Sequence, residues 1–144
     1  MEQYQAVNHI LVRLFNDIID VEEKAIITDE FKDISSNDMH IIEAVGIQSA
    51  NNMSTIAAKM KVTVGTLTIA MNNLVKKGYV IRTRGEKDRR VVFLSLSEKG
   101  KRAYKHHEQF HQNMTKAILK RLNTEEIDVL MKALHNICDY FQLK

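Results

Sequence analysis

The spacing of apolar residues changes abruptly at Gly78, and that change limits the fold more than any other feature of this chain. Up to Gly78 they recur at three- and four-residue steps, as on helices with one buried face. Beyond it, Tyr79-Val-Ile-Arg-Thr-Arg and Val91-Val-Phe-Leu-Ser-Leu alternate with period two and read as two short strands. The loop joining them is dense in charge. From Arg82 to Arg90 seven of nine residues are charged, five of them positive, with Gly85 available for the turn. Ahead of the switch, Ile56, Ala57 and Met60 mark a short helix over about residues 54–60. After Lys61-Val62 a longer one runs over about residues 64–77 and stops at Gly78.

The flanking segments are helical throughout. The first helix covers about residues 3–28, where Val7, Ile10, Leu11, Leu14, Phe15, Ile18 and Ile19 share a face. Phe31-Lys-Asp-Ile-Ser-Ser reads as a linker. Ser35 or Ser36 can then cap a helix carrying Met39, Ile42 and Val45 to its end at Gly46. Behind the hairpin, Ser97 can cap a helix whose stripe is Ala103, His107, Phe110, Met114, Ala117 and Ile118. Asn123 and Glu126 have capping-box spacing. They open a last helix with Ile127, Leu130, Met131, Leu134, Ile137, Cys138 and Phe141 on one side. The expected fold is mainly α: about six helices and a two-stranded wing in a single domain, residues 1–144. Within it, residues 36–97 form a winged helix-turn-helix. The segments 1–30 and 98–144 hold more apolar face than one small domain buries. They are expected to be dimerisation helices joining two copies about a two-fold axis.

Composition narrows the function. The chain has no run of 18 apolar residues to span a membrane, and its first residues do not read as a signal peptide. A single cysteine, Cys138, fits a reducing compartment, so the cytoplasm is the expected location. The net charge of +3 conceals segregation. Residues 1–50 hold ten Asp/Glu against three Lys/Arg, whereas residues 51–110 hold thirteen Lys/Arg against four Asp/Glu. The middle of the chain is therefore expected to face a polyanion, nucleic acid in the first place. No nucleophile elbow, phosphate loop or H-E-x-x-H motif is present, so no enzyme activity and no cofactor are expected.

The run MSTIAAKMKVTVGTLTIAMNNLVKKGYVIR, followed by EKDRRVVFLSLSEKGK, resembles the MarR family of winged-helix transcriptional regulators. The resemblance covers essentially the whole chain. It is most specific in L-x-x-K-G-Y-V-x-R (Leu74 to Arg82), D-R-R (Asp88 to Arg90) and L-S-L-S-E-K-G (Leu94 to Gly100). Phe31 to Ser35, Met39-His40, VTVGTLT and MNNL are similar to one branch of that family, the fatty-acid-synthesis repressors of streptococci and enterococci. The resemblance implies a homodimeric repressor that binds double-stranded DNA and takes long-chain acyl groups on acyl carrier protein as corepressor.

A helix entering a major groove needs an apolar back and a polar front. Val64, Leu67, Met71, Leu74 and Val75 form the expected back, leaving Thr63, Thr66, Thr68, Ile69, Asn72 and Asn73 for the front. Gly65 leaves room for a phosphate at the helix N-terminus. No cation stands between Thr63 and Val75, and arginine is the commonest reader of guanine. An A·T-rich inverted repeat is therefore expected. In the family the D-x-R of the wing sends arginine into the minor groove, braced by the aspartate. Carried over, Asp88 is the brace and Arg90 the inserted residue, with Arg84, Lys87 and Arg89 on phosphates.

An acyl chain needs an apolar tunnel, for which Leu11, Phe15, Ile18, Met39, Ile42 and Val45 are the candidates. The histidines offer a different effector. His107 and His111 stand at i, i+4, a spacing that can chelate zinc on a helix, with His40, Glu22 and Glu23 as further donors. His107 also falls on an apolar stripe, where a core histidine is the plainer reading. Cys138 lies on the apolar face of the last helix and reads as buried and inert. A winged helix used for protein contacts alone is the remaining alternative, and it has no need of five cations in one loop.

Overall fold

The computed structural model describes residues 1–28 and 30–143. Its elements run α1 (Glu2–Ile26), α2 (Ser36–Val45), β1 (Asn51–Asn52), α3 (Met53–Met60), α4 (Val64–Lys76), β2 (Val80–Arg84), β3 (Val92–Leu96), α5 (Glu98–Leu119) and α6 (Thr124–Tyr140). The chain forms two compact units, Met1–Glu108 and Gln109–Lys144. Among the described residues no helix is long and apolar enough to cross a membrane.

Local chemistry sets these boundaries. Ser35, rather than Ser36, caps α2: its Oγ accepts from the Asp38 amide while Asp38 accepts from the Ser35 amide. Asn52 caps α3 and Thr63 caps α4. The turn between α3 and α4 is made by Lys61 in the left-handed conformation at φ 55°. Gly78, at φ 86°, ends α4, and the Tyr79 amide donates back to the Leu74 carbonyl. In the second unit Asn123 and Glu126 form the expected capping box at the start of α6.

β2 and β3 form the expected two-stranded wing, and a further strand, β1, joins their sheet in the order β1-β3-β2, antiparallel throughout. The extra strand is only Asn51–Asn52, paired with Leu94 and Phe93, and is too short to leave a period in the sequence. The core of the first unit gathers Met39, Ile41, Ile42 and Val45 from α2, Ile56 from α3, and Leu67, Met71 and Leu74 from α4. Leu94 and Leu96 close it from the sheet. The linker contributes more than a connection, because Phe31 and Ile34 are both buried there.

Tyr79 is the centre of the packing behind the wing. Its side chain is fully buried, its ring lies 6.3 Å from that of Phe31, and its hydroxyl donates to Asp33 at 2.6 Å. The Lys99 ammonium sits 4.4 Å from the ring centroid. Gly100 lets α5 pass close by: a Cβ there would meet the Tyr79 carbonyl oxygen at 2.1 Å.

Candidate nucleic-acid interface

The candidate interface is built from α4 and the loop between β2 and β3. Leu67, Met71 and Leu74 anchor α4 in the core and Val75 is half-buried, as the periodicity requires. Val64 departs from that set: it is 44 % exposed, because it stands in the first turn, before the helix meets the core. The remaining face is open to solvent. Thr63, Gly65, Thr66, Ile69, Asn72 and Asn73 are exposed, and Ile69 is 71 % exposed at the middle of the face.

The hydroxyls on this face are partly engaged. Thr63 Oγ1 accepts from the Thr66 amide at 3.1 Å and lies 3.0 Å from Thr66 Oγ1. The Thr68 hydroxyl donates to the Val64 carbonyl at 2.7 Å, so this half-buried side chain turns toward its own helix. Gly65 has open space around it: an added Cβ would come no nearer than 4.0 Å to the Thr63 hydroxyl. A close neighbour at Gly65 would therefore have to come from outside the chain.

The wing is tied at its tip. The Gly85 amide donates to the Val91 carbonyl at 2.8 Å, and the Val91 amide to that of Asp88 at 3.2 Å. A Cβ on Gly85 would fall 2.7 Å from the Asp88 carbonyl oxygen, which explains the glycine. Arg84 donates through Nη1 to the Arg89 carbonyl at 3.2 Å, so it helps to close the loop. Asp88 Oδ1 accepts from the Arg90 amide and Nε, at 3.0 and 3.1 Å, and Oδ2 accepts from Nη2 at 3.0 Å. These bonds, the side-chain ones first, hold the Asp88 carboxyl below the usual carboxylate range. The Arg90 side chain remains 92 % exposed. Lys87 and Arg89 are exposed beside it.

Arg82 was expected only as a strand residue. Its Nη2 donates to Asn72 Oδ1 at 2.5 Å, which brings a cation to the open face of α4. The alternation of β2 carries the only sequence signal, since Arg82 shares a sheet face with the buried Val80.

Away from this surface, the candidate effector residues divide. Met39, Ile42 and Val45 are fully buried in the core, Leu11 and Ile18 are half-buried, and Phe15 is 53 % exposed. The histidine set is more cohesive. His107 is 2 % exposed and is no apolar filler: its Nε2 lies 2.7 Å from Glu43 Oε1 and 3.2 Å from Glu22 Oε1. His40 Nε2 stands 3.7 Å from the same Glu22 oxygen, and the two imidazoles are 6.4 Å apart. Glu43 was missed in the sequence because it sits alone among the apolar residues of α2. Glu23 is exposed, and His111 falls in the second unit. Cys138 is half-buried rather than buried.

Comparison with known proteins gives concordant results. A family described as "Transcriptional regulator SarA/Rot" matches residues 24–107. The HTH-type transcriptional regulator SarZ of Staphylococcus saprophyticus is 39 % identical over 61 residues, 42 % of each chain. The chain thus spans about two fifths of that curated relative's length. A crystal structure of Streptococcus pneumoniae FabT in complex with DNA superposes with a TM-score of 0.86 at 38 % identity, covering 96 % of this chain and 97 % of that one. Bacillus subtilis YusO shares the fold, with a TM-score of 0.72 at 22 % identity over 99 % and 97 % of the two chains.

Proposed function

The chain belongs to the SarA/Rot transcriptional regulators, winged-helix proteins of the MarR type, and on that premise we propose that it represses transcription by binding double-stranded DNA as a homodimer. The observation that carries this reading is the braced wing: an almost fully exposed Arg90 held in one orientation by Asp88, beside an open helix face. An arginine preorganised in this way loses little freedom on entering a minor groove, and narrow A·T-rich grooves attract it. The exposed Ile69 suits thymine methyl groups and Asn73 suits adenine, so the preferred site is an A·T-rich inverted repeat. Dimerisation through residues 1–30 and 98–144 is supported by exposed apolar residues within each unit. In α1 these include Val7, Ile10, Leu14 and Phe15; in α6 they include Met131 and Leu134. Fluorescence anisotropy on generic and A·T-rich duplexes across a salt series tests the reading. Binding that weakens steeply with salt supports it, whereas no binding at low salt returns the chain to a protein-contact module.

The regulated process follows from the similarity to FabT together with the FKDIS and MNNL segments. The chain controls fatty acid synthesis genes, with long-chain acyl carrier protein as corepressor. Its acyl chain would enter beside Leu11, Phe15 and Ile18 and open the packing around Met39, Ile42 and Val45. A gel-shift titration with acyl carrier proteins of increasing chain length tests this; identical operator affinity at every length would defeat it.

The histidine cluster favours a second reading, in which the effector is zinc. Two imidazoles and two carboxylates in close proximity are an ordinary zinc donor set. As they stand, His107 lies close to both carboxylates and His40 lies 3.7 Å from Glu22, and an ion would draw on Glu22, His40, Glu43 and His107. Metal analysis of purified protein before and after chelation, paired with anisotropy on the same samples, distinguishes this reading from the acyl one.

A further inference from the structure

The recognition helix encodes no cation between Thr63 and Val75, yet the fold supplies one. Side chains alternate along β2, so Val80 and Arg82 lie on one face of the sheet and Ile81 and Thr83 on the other. Val80 is buried against the core and pairs with Leu96; Arg82 pairs with the buried Leu94. Arg82 therefore continues the inward row to the place where the core gives way to solvent. There its guanidinium meets Asn72, with Nη2 2.5 Å from Oδ1.

Chemistry fixes the sense of this contact. A guanidinium can only donate, so Asn72 must turn its carbonyl oxygen to Arg82 and leave its NH2 for other partners. Asn72 is thereby presented as a hydrogen-bond donor, the complement of purine N7, guanine O6 or thymine O4 in a major groove. It lies three and four residues after Ile69 and Thr68, on the same side of α4. Both partners are exposed, so the fold gains little from a bond between them.

We propose that Arg82 is a specificity-determining residue of the DNA interface: it positions the Asn72 amide and brings to the recognition-helix face the charge that the helix lacks. This rests on the DNA-binding reading given above. The charge adds affinity for any duplex, while the orientation of Asn72 adds a preference at one base pair of each half-site.

The test compares wild type, Arg82→Gln, Arg82→Lys, Asn72→Ala and the Arg82→Gln/Asn72→Ala double variant. Each is titrated with a selected duplex and with single-base-pair variants of it, and thermal unfolding is followed alongside. Arg82→Gln is expected to lose on the order of tenfold in affinity for the selected site and to flatten one base-pair preference. Arg82→Lys keeps the salt dependence but loses that same preference, a split that a merely structural residue would not produce. Asn72→Ala flattens the same position, and the double variant loses no further discrimination, because the pair acts as one unit. Melting temperatures stay close to wild type. An Arg82→Gln or Arg82→Lys profile with the wild-type base preference overturns the assignment and leaves the DNA reading standing. Additive losses in the double variant overturn it likewise. Failure of the wild-type protein to bind any duplex overturns the DNA reading and this assignment together.

Discussion

Asp88 holds Arg90 through both of its carboxylate oxygens, the aspartate accepting from the arginine's backbone amide and from two guanidinium nitrogens. The exposed Arg90 side chain is thus oriented before any partner arrives. Arg90→Ala is expected to cost about 1–3 kcal/mol of binding per half-site. Asp88→Asn keeps the cation but loosens its aim, so it should reduce preference for A·T-rich over generic duplex more than it reduces generic binding. Anisotropy titrations on both duplexes check the two variants.

Lys87 stands exposed on the same loop, and among the described residues no side chain braces it as Asp88 braces Arg90. Its contribution is expected to be phosphate neutralisation. Lys87→Ala should weaken all duplexes alike and lower the slope of log affinity against log salt by about one. A change confined to one sequence would refute the phosphate assignment.

Two glycines near the interface should respond in different ways. At Gly85 a methyl group collides with the Asp88 carbonyl, so Gly85→Ala deforms the wing tip and lowers duplex affinity. At Gly65 the protein leaves open space, and alanine should be neutral or stabilising by up to about 1 kcal/mol. Duplex affinity of Gly65→Ala should nevertheless fall, because the new methyl faces the approaching phosphate. Thermal unfolding and anisotropy measured together separate the two cases.

Gly100 is a matter of stability alone. Its missing side chain admits the Tyr79 carbonyl at a distance no Cβ tolerates, and the obstacle is backbone. Gly100→Ala is expected to destabilise the chain by about 1–3 kcal/mol, read as a lower denaturant midpoint.

The Tyr79–Asp33 bond makes stability depend on pH at both ends of the scale. The bond from Tyr79 is the largest cause holding the Asp33 carboxyl below its ordinary value. Burial first, then Asp33, push the Tyr79 phenol well above its ordinary value. Asp33 therefore contributes stability above the usual carboxylate range and loses it as pH falls through its depressed folded value. Tyr79 contributes below its usual phenol range and loses that as pH rises through its higher folded value. Tyr79→Phe should cost about 1 kcal/mol near neutrality. Denaturant unfolding should show this difference closing in acid, once Asp33 is protonated.

The fold was legible wherever an element repeats its period over several turns. Helix limits in the sequence fall within two residues of those observed, since Ser35, Gly46, Thr63, Gly78 and Asn123 carry their own capping chemistry. What escaped was two residues long or depended on distant partners. Asn51–Asn52 is too brief for a pattern, and Phe31 and Ile34 looked like linker because burial there comes from other elements. At the candidate interface the Asp88–Arg90 brace was expected from the family resemblance, and the bonds between these two residues match that expectation. Arg82 and Glu43 were not legible, because Asn72 and His107 reach them only through the fold.

Tyr79 joins pieces that sequence order keeps apart. The Phe31–Asp33 segment grips its ring and hydroxyl, Leu74 at the end of α4 holds its amide, and Ser97 donates to its carbonyl. The segment between α1 and α2, the end of α4 and the root of the hairpin are therefore fastened to one buried residue. A substitution that loosens Tyr79 would remove an anchor that all three share.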